Sequence, residues 1–76
     1  MKNVKMMDLE NDMFSNVQIE CFDLINVLQL LIDEEWVTVD DNITEKCMKK
    51  WNKNYEKTGV ISVFVEDSTF IIVLLN

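Results

Sequence analysis

The chain has 76 residues, of which 49% are apolar, and its 14 acidic residues outnumber 7 lysines for a formal net charge of −7. A chain of this length makes one small domain, which buries only about 60–65% of the surface it exposes when unfolded. Two cysteines allow at most one disulfide, and the lack of histidine excludes a Cys/His metal pattern and a histidine base. An apolar fraction this high in so little volume implies that a partner or a second copy buries part of it.

The charge is local. Residues 1–41 hold ten carboxylates against Lys2 and Lys5, whereas residues 42–76 hold five lysines against four carboxylates. The field favours a basic protein surface and opposes nucleic acid. The start of the chain is charged and lacks the apolar segment of a secretory signal. The stretches Leu24–Ile32 and Ser68–Asn76 have about half the ~20 apolar residues of a membrane span. A cytoplasmic protein with reduced thiols is expected. Alanine, arginine and proline are also absent, a usage that suggests an AT-rich genome such as that of a low-GC bacterium or its phage.

In chain order, Val4 and Met6 alternate as in a short strand, so residues 3–9 read as an optional extra strand. A helix is expected from Ser15 or Asn16 to about Glu35. On a 3.6-residue wheel, Val17, Cys21, Leu24, Ile25, Val27, Leu28, Leu31 and Ile32 fill one arc. Ile19, Phe22 and Leu30 fall on its polar side, where a monomer leaves them wet.

Asn42 and Glu45 have capping-box spacing, with Asp40 and Asp41 just before the positive end of a second helix. That helix is expected to run to about Lys57, closed by Gly59 in the left-handed conformation. Cys47, Met48, Trp51 and Tyr55 form its apolar face, and Lys46, Lys49, Lys50, Lys53 and Lys57 lie opposite.

Val60–Glu66 and Thr69–Leu75 read as a β-hairpin around Asp67-Ser68. The expected register sets Val65 against Phe70, Val63 against Ile72 and Ile61 against Leu74, with Phe64 and Ile71 on the other face. Both faces are apolar and two helices cover only one. The expected fold is α+β: two helices packed on a C-terminal antiparallel hairpin, in the order ααββ.

The acidic connector Asp33, Glu34, Glu35, Asp40 and Asp41, with Trp36 beside it, reads first as solvated helix ends and then as a partner-binding patch. It lacks calcium-loop spacing. The lysine face offers phosphate contacts, but without arginine it lacks bidentate guanine readers. Cys21 and Cys47 read as buried structural thiols, and Trp51 reads as core. With no histidine, phosphate loop or activated serine, the sequence carries no catalytic constellation, and no cofactor or metal is implied.

The function expected is therefore a small acidic interaction protein, of the inhibitor, immunity or counter-defence kind, bound to a basic surface of a larger protein. The alternative is a structural subunit paired with itself, and a lysine-helix nucleic-acid binder comes third. A homodimer is expected through Ile19, Phe22, Leu30, Phe64, Ile71 and Val73, helped by an uncharged last strand that lacks edge protection. The competing expectation is that residues 1–14 fold back as a third strand and a lid through Met6, Met7, Leu9, Met13 and Phe14.

Overall fold

A computed structural model of the chain describes residues 1–39, 42–49, 51–65 and 67–75, and for Lys46, Met48 and Lys49 the backbone alone. Its elements in order are β1 (Lys2–Asp8), β2 (Met13–Ile19), α1 (Leu24–Asp33), α2 (Ile43–Lys49), α3 (Tyr55–Thr58), β3 (Val60–Val65) and β4 (Ser68–Leu74). The strands form one antiparallel four-stranded sheet in the order β2-β1-β4-β3. The expected ααββ order is thereby overturned. The N-terminal half supplies a hairpin of its own, and the short helices sit between two hairpins.

The first hairpin explains the correction. Asp8 pairs with Met13 across a loop of Leu9, Glu10, Asn11 and Asp12. Asp8 is buried, and its carboxylate accepts from the Glu10 N–H (3.2 Å), the Asn11 N–H (3.3 Å) and the Asn11 amide (2.9 Å). Asp12 closes the loop with φ 52°, a left-handed conformation that aspartate tolerates better than most residues. The turn sends Met13–Ile19 back along β1 from Ile19 opposite Lys2 to Met13 opposite Asp8. Ser15 and Asn16 are therefore strand residues, and the helix cap is Asp23. Its side chain accepts from the Asn26 N–H and the Asn26 amide, both at 2.8 Å.

The C-terminus of α1 is a Schellman closure. The Trp36 N–H donates to the Leu31 carbonyl (2.9 Å), and the Glu35 N–H to that of Ile32 (3.0 Å). Glu35 takes the left-handed position with φ 61°, which costs an L-residue roughly 1–2 kcal/mol. Glu35→Gly is therefore expected to stabilise the chain by about 1 kcal/mol, seen as a Tm rise of about 5 °C. A lower Tm would contradict this closure.

α2 begins at Ile43, directly after Asn42, but ends at Lys49 rather than near Lys57. The chain then runs along the outer edge of β3, where Trp51 bridges Val63. Only afterwards does α3 form, closed by Gly59 at φ 69° with its N–H on the Tyr55 carbonyl (2.8 Å).

The second hairpin pairs Val63 with Phe70 and Val60 with Val73, a two-residue shift from the expected register. A two-residue slip keeps every side chain on its own face, so the face assignment survives. The last strand is not an edge: β4 lies between β1 and β3.

The helices pack on one face of the sheet. The core joins Val4, Met6, Ile61, Val63, Val65, Phe70 and Ile72 from the strands to Leu24, Val27, Leu28, Leu31, Ile43 and Cys47 from the helices. Ile19 belongs to this core at 5% exposure, while Phe22 and Leu30 pack against it half-buried. The expectation that these three lie wet is thus corrected. Phe22 meets Tyr55 edge-on at 6.0 Å, and Trp36 meets Phe70 at 6.2 Å. Cys21 is exposed rather than buried, whereas Cys47 is buried. Among the described residues no helix is long and apolar enough to cross a membrane.

Candidate functional site: the open face of the sheet

Side chains alternate across a strand, so each residue beside a core position points the other way. In β1 the core side is Val4, Met6 and Asp8, and the opposite side is Asn3, Lys5 and Met7. The register extends this second face across the sheet. Met7 lies between Phe14 and Ile71, Ile71 is opposite Ser62, Thr69 is opposite Phe64, and Val73 lies between Lys5 and Val60.

No described helix covers this face. Phe14 is 68% exposed and Phe64 41% exposed, while Met7, Val60, Ile71 and Val73 are half-buried by their neighbours alone. The surroundings are polar: Asn3, Asn16, Gln18, Ser62 and Thr69. Asn3 and Gln18 are tied by an amide hydrogen bond of 3.2 Å. The one charged side chain on the face in these strands is Lys5, whose Nζ sits 4.9 Å from the centroid of the Phe14 ring. Among the described strand residues no carboxylate lies on it.

The acidic groups stand at one end. Pairing of β1 with β4 sets Asp8 opposite Phe70, so the β1–β2 loop and the β3–β4 turn share one rim of the sheet. Glu10, Asp12 and Asp67 are exposed there. Glu10 joins the two turns: its Oε2 accepts from the Thr69 N–H at 2.7 Å. The site is therefore an apolar platform with a carboxylate rim.

The residues singled out in the sequence divide between the two sides of the sheet. Phe64, Ile71 and Val73 come together on the open face, whereas Ile19, Phe22 and Leu30 lie with the helices. Asp33, Glu34 and Glu35 are exposed at the end of α1, with Trp36 half-buried beside them, on the helical side. Asp40 and Asp41 lie outside the described residues. The lysine face rested partly on Lys46, Lys49 and Lys50, whose side chains also lie outside them. Lys53 and Lys57 are exposed, but lie in the link after α2 and in α3.

Sequence reasoning did not bring Met7 and Phe14 to this face of the sheet, and missed Glu10, Asp12 and Asp67 as a rim. The strand alternation of Lys2–Asp8 was the available signal for Met7. The rim depends on β1 pairing with β4, for which the sequence has no local mark. Among the described residues, no group of three or more His, Cys, Asp or Glu side chains is placed to hold a metal. No protein-family model, no curated protein and no solved structure matches the chain.

Proposed function

We propose that this protein is a non-catalytic interaction module that binds a larger protein through the open face of its sheet. The occupant that fits is an apolar protein surface flanked by basic groups. The observation that carries the reading is the joining of Met7, Phe14, Val60, Phe64, Ile71 and Val73 on one uncovered face, with Glu10, Asp12 and Asp67 at its rim. Buried aromatic anchors supply most of the energy of such contacts, and rim charges steer the encounter. Occupying a basic, functional surface of a larger protein is the mode of action of an inhibitor, and that is the role proposed here. The cytosol suits the two free thiols, one of which is exposed.

The test is capture from native cell extract by the wild-type chain and by a Phe14→Asp/Phe64→Asp variant. Both rings are exposed, so the substitutions leave the core alone. The captured protein is then purified and its binding measured directly. The double variant should bind at least tenfold more weakly. Neutralising Glu10, Asp12 and Asp67 should slow association and flatten its salt dependence. A purified partner that binds the double variant as tightly as the wild type would overturn this reading.

A further inference from the structure

The two edges of the sheet are treated differently. Along β3 the outward backbone groups of Val60 and Ser62 are occupied by the chain itself. Asn52 accepts the Ser62 N–H on Oδ1 (2.6 Å), donates its amide to the Val60 carbonyl (2.7 Å), and its own N–H reaches the Ser62 carbonyl (3.3 Å). The other edge, β2, has β1 on one side and, among the described residues, no strand on the other. Its residues, Met13-Phe-Ser-Asn-Val-Gln-Ile19, include no charge and no proline, the usual guards of a free edge.

The ladder identifies which β2 groups point outward. The Leu75 N–H donates to the Asn3 carbonyl and the Leu9 N–H to the Thr69 carbonyl, so odd-numbered residues of β1 face β4. Even-numbered residues of β1 then face β2, where they pair with Met13, Ser15, Val17 and Ile19. The N–H and C=O groups of Phe14, Asn16 and Gln18 are left pointing away from the sheet.

We propose that this edge pairs antiparallel with the same edge of a second copy, across a two-fold axis at Asn16. The register is self-complementary. Asn16 meets Asn16 of the second copy, and Phe14 meets Gln18 in both directions, so every outward group of the three residues finds a partner. All seven residues of β2 are used. Because β3 is already covered, the assembly closes at two copies instead of growing into a fibre.

The inference rests on the open face being the working surface and supplies what that face lacks. Four strands about 4.8 Å apart and seven residues at about 3.3 Å each give a platform of roughly 440 Å² in projection. A stable interface takes about 800 Å² from each partner. Pairing at β2 keeps both open faces on one side of a continuous eight-stranded sheet and doubles the platform. The site is incomplete in one copy. The cost lies at the ends, where Asp12 and Glu20 of opposing strands meet as like charges, an effect that physiological salt screens.

The test is light scattering on the pure full chain at micromolar to submillimolar concentration and physiological salt, with amide exchange read residue by residue. The expected mass is twice the 9.0 kDa of one chain. Amides of Phe14, Asn16 and Gln18 should exchange at least tenfold more slowly in the concentrated sample. Asn16→Pro removes an outward donor while sparing the β1 ladder, and proline is tolerated at an edge. It should hold the mass at that of one chain. Gln18→Pro acts by the same geometry if Asn16→Pro does not fold.

A monomer throughout this range overturns the inference. So does a dimer in which those three amides stay unprotected, or one that survives both proline variants. A monomer that still binds its partner through Phe14 and Phe64 leaves the proposed function standing. A dimer protected at β2 that binds no partner leaves the pairing standing.

Discussion

Ile72→Ala should cost about 2–5 kcal/mol, while Ile71→Ala, one residue away, should cost roughly 1 kcal/mol in the free chain. Ile72 lies between Met6 of β1 and Ile61 of β3, and all three are fully buried. Truncation there leaves a cavity in the middle of the sheet with little freedom to collapse. Ile71 points to the open face, where it keeps contact with water and the loss is mainly its partial burial against Met7 and Ser62. At 0.05–0.15 kcal/mol per residue the whole domain is worth only about 4–11 kcal/mol, so Ile72→Ala takes a large share. Urea unfolding of both variants at low concentration reads the difference. Equal losses would mean that the open face is covered in solution. A larger loss at Ile71 would invert the assignment of the two faces.

The contrast also separates what the sequence can show from what it cannot. Ile71 and Ile72 are neighbours of the same type, yet hairpin alternation alone places them on different faces. That placement holds although the register is shifted by two, because strand faces repeat every second residue. Gly59 was legible for the same local reason: a helix end needs a left-handed residue and this is the chain's single glycine. Residues 3–9 read as an optional strand by alternation, and β1 runs from Lys2 to Asp8, but residues 10–23 were not legible. Ser15 and Asn16 resemble a helix cap, and Val17, Cys21 and Leu24 continue a helical arc by chance of spacing. What decides for a strand is the Asp8-stapled loop and the pairing with β1, both of which override local preference. Ile19, Phe22 and Leu30 then cease to be anomalies on a helix. Ile19 is a core strand residue, and the other two pack beside the core. The carboxylate rim was hidden for a further reason: Glu10 reaches the Thr69 N–H only because β1 and β4, from opposite ends of the chain, lie side by side. Such a pairing follows from burying both hairpins together and leaves no mark in either.

Asn52→Ala should have the second large effect, on stability and on assembly together. Asn52 is the one described side chain that holds the 51–54 link to β3 through both its donor and its acceptor. Its loss leaves the Ser62 N–H without the 2.6 Å acceptor and takes the amide donor from the Val60 carbonyl. The Val60 carbonyl keeps the Thr58 hydroxyl at 3.3 Å, so the main loss is the Ser62 N–H, and leaving such a group unmet costs about 1–3 kcal/mol. Loosening the link also releases Trp51 from its bridge to Val63, so the outward groups of β3 become a second free edge. A chain with one free edge can only pair, whereas a chain with two can add copies without end. Sedimentation of Asn52→Ala should therefore show species beyond the two-copy mass that grow with concentration. Adding Asn16→Pro blocks the β2 edge again and should stop that growth at a pair joined through β3. A variant that loses no stability and keeps the wild-type mass would mean that Asn52 does not guard this edge, and that another contact closes the assembly.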